Sequence, residues 1–169
     1  MIPSDKLPDL LQENLKAIFV GTAASTVSAD AGHYYAHPGN RFWNTLYEVG
    51  ITPRQFKPSE YQQLRLLGIG LTDLCKIDAG SDHQLASEQF DVDSFRQKIR
   101  RYRPKSIAFT SKKAASVFLG CRTHQISLGR QPASATGFPE IFVLTSTSGA
   151  ASGHWSAAPW HELAHWIKM

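Results

Sequence analysis

The chain is short of cysteine, of long apolar runs and of charge of one sign, and each shortage removes a class of protein. Two cysteines, Cys75 and Cys121, among 169 residues cannot build a disulfide framework, and unaided they cannot ligate an iron–sulfur cluster or a structural zinc. A reduced, cytoplasmic protein is expected. No apolar stretch approaches the ~20 residues that cross a bilayer, and the opening MIPSDKLPDLLQEN alternates polar and apolar residues, unlike a signal peptide. No membrane association is expected. Repeats, low-complexity tracts and linkers are missing as well, and nothing in the chain requires more than a monomer. The 42% hydrophobic and 19% charged residues fit one folded domain over residues 1–169. A net charge of +4 suits a polyanionic partner without specifying one. The densest cationic cluster, RQKIRRYRPK at 96–105, reads as the solvated face of a helix or as a surface for phosphates.

What is present is an alternation of short apolar runs with helical periodicity, the pattern of an α/β domain with a mainly parallel sheet. AIFV at 17–20 predicts a strand running into Gly21, GIGLTDL at 68–74 a strand ending on Thr72 and Asp73, and SIAFT (106–110) and IFVL (141–144) two buried strands. Helices are predicted at 42–50, at 59–67 with Ser59 as N-cap, and at 92–102, capped by Asp91 and stopped by Pro104. A further helix is expected from Ser111 to Gly120, and a last one around Trp160, Leu163, Ala164 and Ile167 with Pro159 near its start. Irregular segments 21–41, 73–85 and 145–155 then follow strands, and in an open α/β sheet ligands bind outside the carboxyl ends of the strands. The three loops are expected to converge on one site.

The first of these loops holds AGHYYAHPGNRFW at 31–43. Tyr34 and Tyr35 offer flat faces, His33 and His37 switchable donors or acceptors, and Asn40 an amide that donates and accepts at once. A planar heterocycle with amide edges, such as a nucleobase, uses both stacking and an amide pair. Phe42 and Trp43 are expected in the core, and Asn40 fits an N-cap as well as a ligand contact. Asp73 at the end of a strand is equally suited to binding, catalysis or capping, while turn formation accounts for Asp78, Asp82 and His83. The stretch TSTSGAAS at 145–152 carries five hydroxyls, a composition suited to phosphate oxygens. Pairing Ser148 or Ser152 with His154 would need a hydrolase geometry for which no G-x-S-x-G elbow is present. HELAH at 161–165 matches H-E-x-x-H, but only four residues follow it, and the apolar stripe of the same helix turns its histidines and Glu162 outward.

IFVGTAAS at 18–25, GHYYAHPGNRFW at 32–43 with GIGLTDL at 68–74, and VLTSTSGAASG at 143–153 together resemble the uracil-DNA glycosylase superfamily, near its mismatch-specific uracil/thymine branch. The H-P-x-N-x-F-W string is similar to the hypoxanthine-DNA glycosylase branch. The resemblance covers nearly the whole chain. It implies a three-layer α/β/α sandwich that flips uracil from DNA and hydrolyses its N-glycosidic bond, monofunctionally and without metal or other cofactor. By that resemblance Tyr35 stacks on the flipped base, Thr22, Ala23, Asn40 and Asp73 line its pocket, and Asp73 and Asn40 are the catalytic candidates. Ser146, Thr147 and Ser148 fall on a phosphate-gripping stretch, Gly149, Ala150 and Ala151 on the wedge that enters the duplex, and Lys112 on a DNA-phosphate contact. Two departures stand out. The branch motif G-I-N-P-G carries a water-positioning asparagine where Gly21-Thr22-Ala23-Ala24-Ser25 has Ala23, and a methyl group cannot orient water. Asp73 is the first choice to replace it, because a carboxylate orders water and stabilises an oxocarbenium-like sugar. The wedge tip is Ala150, which fills a vacated base stack poorly and points to single-stranded or mismatched DNA. A hypoxanthine-preferring glycosylase and a non-catalytic reader of flipped or single-stranded bases are the alternatives.

Overall fold

Four apolar runs form the parallel heart of one sheet. In the computed structural model, which describes residues 5–80, 90–132 and 137–169 apart from the side chains of Asp78 and Ser152, β1 (Ala17–Ala24), β2 (Ile69–Ala79), β3 (Ser106–Phe109) and β5 (Glu140–Val143) run parallel. The short β4 (Gly129–Arg130) pairs antiparallel with β5, and the order is β2-β1-β3-β5-β4. The chain builds outward from β1 in both directions, so a topological switch point lies at the carboxyl ends of β1 and β3.

Strand alternation feeds two cores. Ala17, Phe19, Ala108 and Phe142 point to one face, under α2 (Phe42–Glu48) and α5 (Ala158–Lys168). Ile18, Val20, Ile107, Phe109, Ile141 and Val143 point to the other, under α3 (Val92–Tyr102) and α4 (Lys112–Leu119). Strands buried on both faces read as continuous apolar runs, which is why AIFV, SIAF and IFV are so legible. The result is the expected three-layer sandwich around a mainly parallel sheet. Among the described residues no helix is long and apolar enough to cross a membrane.

Helix ends follow their local signals. Asp91 accepts from Ser94 N at 3.0 Å and Ser111 from Ala114 N at 3.1 Å, while Gly120 closes α4 in the left-handed region at φ 70°. Elsewhere the structure departs from expectation. Residues 58–67 form a 3₁₀ helix capped at Lys57 rather than at Ser59, because Pro58 takes the first helical position and Glu60 reaches back to the Lys57 amide at 2.8 Å. β1 extends to Ala24, so Thr22 and Ala23 are strand residues. The segment after it holds a helix, α1 (Thr26–Ala31). β2 extends to Ala79, so Asp73 lies inside the strand rather than at its end. Pairing with β1 carries it on: Gly21 opposes Asp73 and Ala23 opposes Cys75, with an irregularity before Ala24 meets Ala79. Asp82 and His83 lie outside the described residues. Thr123–Gln125 and Gly149–His154 add two further 3₁₀ turns.

Candidate active site

Gly21 opposes Asp73 across the β1–β2 pair, and its missing side chain is what lets three polar groups meet. A Cβ there would fall 2.6 Å from Asp73 Oδ1, 3.4 Å from Tyr35 Oη and 3.6 Å from Thr110 Oγ1. The first distance is one that no side chain tolerates. The three residues come from β2, from the segment after α1 and from the residue following β3, so this cluster joins two of the three expected loops with Thr110 rather than with 145–155.

Asp73 is 5% exposed, and no hydrogen bond to its carboxylate is found among the described residues. Burial raises its pKa to about 6; Lys76 opposes the shift, Asp9 adds to it and Lys98 opposes it. A cavity of about 460 Å³ reaches Asp73 from the α3 side, with Asp9, Lys76, Phe90 and Lys98 among its walls. Tyr35 stands opposite. Its hydroxyl donates to Thr110 Oγ1 at 3.4 Å, and Thr110 in turn donates to the Val20 carbonyl at 3.3 Å. Burial raises the phenol's pKa and the Asp73 charge raises it further, so the hydroxyl keeps its proton. Its ring stacks on Phe42 at 3.9 Å and 19°. The backbone of Tyr35 has φ 52°, a left-handed conformation that costs a bulky residue roughly 1–3 kcal/mol. The Phe42 stack and the Thr110 bond hold it there.

The neighbouring Tyr34 is a core residue. It donates to the Pro8 carbonyl at 2.9 Å and accepts from Lys76 Nζ at 3.0 Å, with 2% exposure. Trp43 is tied to the same turn through Nε1 to the Tyr34 carbonyl at 3.0 Å. Asn40 spends its Oδ1 on the Phe42 amide at 2.9 Å, although the residue at the helix boundary is Arg41. Its amide nitrogen makes no hydrogen bond among the described residues. No hydrogen bond joins Asn40 to Asp73.

The third loop is clasped onto the first. Arg41 N donates to the Thr147 carbonyl at 2.9 Å, the Arg41 guanidinium lies 4.5 Å from the centre of the Trp155 ring, and Gly149 packs so close to Gly39 that a Cβ would meet the Gly39 carbonyl at 3.2 Å. Trp160 Nε1 reaches the Thr145 carbonyl at 3.1 Å and anchors the loop base. Ser146 and Ser148 are half-buried and accept from the amides of Ser148 and Ala150, at 3.2 and 3.3 Å. Thr147 is buried, while Gly149 and Ala150 are exposed and Ala151 is half-buried. Lys112 sits half-buried in the first turn of α4, on the same edge as Thr110. Thr22 and Ala23, one and two residues beyond Gly21, are half-buried.

Two competing readings of sequence motifs lose their footing. Glu162 of HELAH accepts from the Arg130 amide and so anchors β4, with His161 and His165 exposed. His154 is likewise exposed. Sequence reasoning missed Thr110, although it ends SIAFT at the predicted edge. It also missed Asp9, Lys76 and Lys98, for which no local signal exists.

An open, mainly parallel sheet with a polar cluster at its switch point defines an α/β protein with a candidate site at the carboxyl edge. The model of the Uracil DNA glycosylase superfamily matches residues 8–169, and the chain belongs to that family of DNA glycosylases. The solution structure of a Methanosarcina acetivorans protein, provisionally assigned as a uracil DNA glycosylase, has a similar fold, with a TM-score of 0.66 at 21% identity over 100% of both chains.

Proposed function

We propose that this chain is a monofunctional uracil-DNA glycosylase in which Asp73 has taken the place of the asparagine absent at Ala23. The observation that carries the reading is the buried carboxylate wedged against Gly21 at the switch point, beside the Tyr35 and Thr110 hydroxyls. Hydrolysis of the N-glycosidic bond builds positive charge on the departing sugar and negative charge on the base. A carboxylate held at low dielectric and ionised above about pH 6 orders or deprotonates the attacking water and stabilises the oxocarbenium-like centre. No protein amine is required, which makes the reaction monofunctional.

The remaining groups fit the flipped base. Phe42 covers one face of the Tyr35 ring; the flipped base is assigned to the other, and the Asn40 amide nitrogen serves as a donor for a base oxygen. Thr22 and Ala23 extend the same wall. Ser146, Ser148 and Lys112 supply phosphate contacts, and Thr147 holds the loop to Arg41. The small wedge Gly149–Ala151 favours single-stranded or mismatched substrates, in which extrusion costs least. The protein is expected to act as a cytoplasmic monomer.

The test is single-turnover release of free uracil from a single-stranded, uracil-containing oligonucleotide, with a hypoxanthine-containing strand alongside. Release by the wild type that falls by ~10²-fold or more in Asp73→Asn supports the assignment. Release undiminished in Asp73→Asn moves the role to another group. Faster release of hypoxanthine corrects the substrate. Tight binding with no release makes the protein a reader of flipped bases.

A further inference from the structure

We propose that a groove at the opposite, amino end of the sheet docks an acidic peptide segment carrying one apolar side chain, as a site for a protein partner distinct from DNA. The groove is a cavity of about 730 Å³ lined by Arg96, Arg100, Arg103 and Lys105 together with Phe138 and Trp166, with no carboxylate in its lining among the described residues. Lys105 immediately precedes β3, and Phe138 lies just before β5. The groove is therefore separated from Thr110 by the whole length of β3, four residues or roughly 13 Å. The groove thus lies apart from the candidate site at the carboxyl edge.

Charge selects the class of occupant. Arg96, Arg100 and Arg103 recur at helical spacing on one face of α3 and its last turn, covering about 10 Å, the span of three residues of an extended chain. Arg100, Arg103 and Lys105 are exposed and make no ion pair among the described residues, and the nearby Glu140 is engaged by Arg130 at 3.1 Å. Unneutralised arginine clusters beside an apolar recess are the recognition mode for acidic motifs with an apolar anchor. A single strand is less well served. Base stacking uses open ring platforms, whereas one face of Phe138 is taken by Phe118 and Trp166 is packed against Phe142.

Arg103 supplies an independent pointer. It occupies the left-handed position that ends α3, at φ 47°, where glycine is the residue without steric penalty. An arginine kept there puts a cation on the groove at the expense of backbone ease. The same geometry gives a clean variant, because Arg103→Gly removes the charge while relieving the backbone.

The experiment uses the full chain at physiological ionic strength, where diffuse attraction is screened. A short fluorescein-labelled peptide of Asp and Glu with one central Phe is titrated by anisotropy, beside its Phe→Ala analogue and a uracil-free single-stranded oligonucleotide as competitor. The expected result is saturable binding that weakens about tenfold with Arg103→Gly, with Arg100→Glu and with loss of the peptide's Phe. The oligonucleotide leaves it unaffected, and the melting temperature of Arg103→Gly is undiminished. Any of three results overturns the proposal: no saturable binding, binding indifferent to the Phe, or displacement by the oligonucleotide in a manner that Arg103→Gly abolishes. Uracil release by Arg103→Gly reports on the carboxyl edge separately, so loss of peptide binding and failure of the glycosylase assignment are read independently.

Discussion

Asp9 and Asp73 share Lys76 and Lys98 as neighbours, but only Asp9 bonds them. Asp9 sits on the segment that pairs with the edge of β2 through Leu10 and Leu71. It holds Lys76 at 2.9 Å and Lys98 at 2.6 Å, and accepts from Thr72 Oγ1 at 2.6 Å. Burial alone would raise its pKa, but the Lys76 charge and the bonds from Lys98 and Thr72 outweigh it and hold the carboxyl below the ordinary value. Asp73 feels the same cations only at a distance. With no hydrogen bond to it among the described residues, its carboxyl is raised by burial to about 6. One acid is a structural anion and the other is poised near neutrality, and the close Lys76 charge together with the hydrogen bonds from Lys98 and Thr72 decides which. Perturbed groups of the second kind cluster at functional sites.

The largest expected effect comes from Asp73→Asn, and it has two opposed parts. Uracil release falls by ~10²-fold or more, while the fold becomes more stable at pH 8, by roughly 1–3 kcal/mol. The sign follows from the raised pKa. Between about pH 4 and 6 the native state binds more protons than the unfolded chain, so stability falls as pH rises through that window, and above it the cost of the buried charge is complete. Thermal melts at pH 8 and pH 4 check this: the gain of the variant should shrink toward the lower pH, and a variant less stable at pH 8 would contradict the buried-charge account.

Gly21→Ala attacks the same carboxylate by crowding. The added methyl meets Asp73 Oδ1, and displacement of the carboxylate should lower single-turnover release by about 10–100-fold, with about 1–3 kcal/mol lost from stability. Activity close to wild type would show that the position of Asp73 does not matter.

The pH profile of the wild type sharpens the contrast between the two acids. Release should rise with pH through about 6 and then level off, since the ionised carboxylate is the working form. In Asp9→Asn an anion that raises Asp73 is removed and two lysines lose a partner, so the acid limb should move to lower pH. The same variant should lose stability by about 1–3 kcal/mol at pH 7. A limb that stays in place would mean that Asp9 and Asp73 do not communicate. Smallest of all, Tyr35→Phe removes only the bond to Thr110 and should cost about 1 kcal/mol of stability, with stacking retained; equilibrium unfolding measures it.

Much of the frame was legible because it rests on local physics. AIFV, SIAF and IFV are buried on both faces and read as apolar runs; Asp91, Ser111 and Gly120 are caps whose side chains or backbone act within a few residues. The ends of β1 and β2 were not legible, because their last residues are polar or small and are held in the strand by pairing of Gly21 with Asp73 and Ala23 with Cys75. The site divides in the same way. Tyr35, Asn40 and Asp73 could be picked out as stacking, amide and acid groups at a sheet edge, whereas Thr110 entered only when β3 placed it beside Tyr35.

The sequence by itself determined the α/β layering and the departure at Ala23, since periodicity, capping and residue type act over short distances along the chain. Only the tertiary structure decided that Asp73 is buried with no hydrogen bond to its carboxylate among the described residues while Asp9 gathers both lysines. That outcome depends on groups 63–89 positions apart being packed into one low-dielectric corner, where a few ångströms and one missing Cβ set the charge that the site can use.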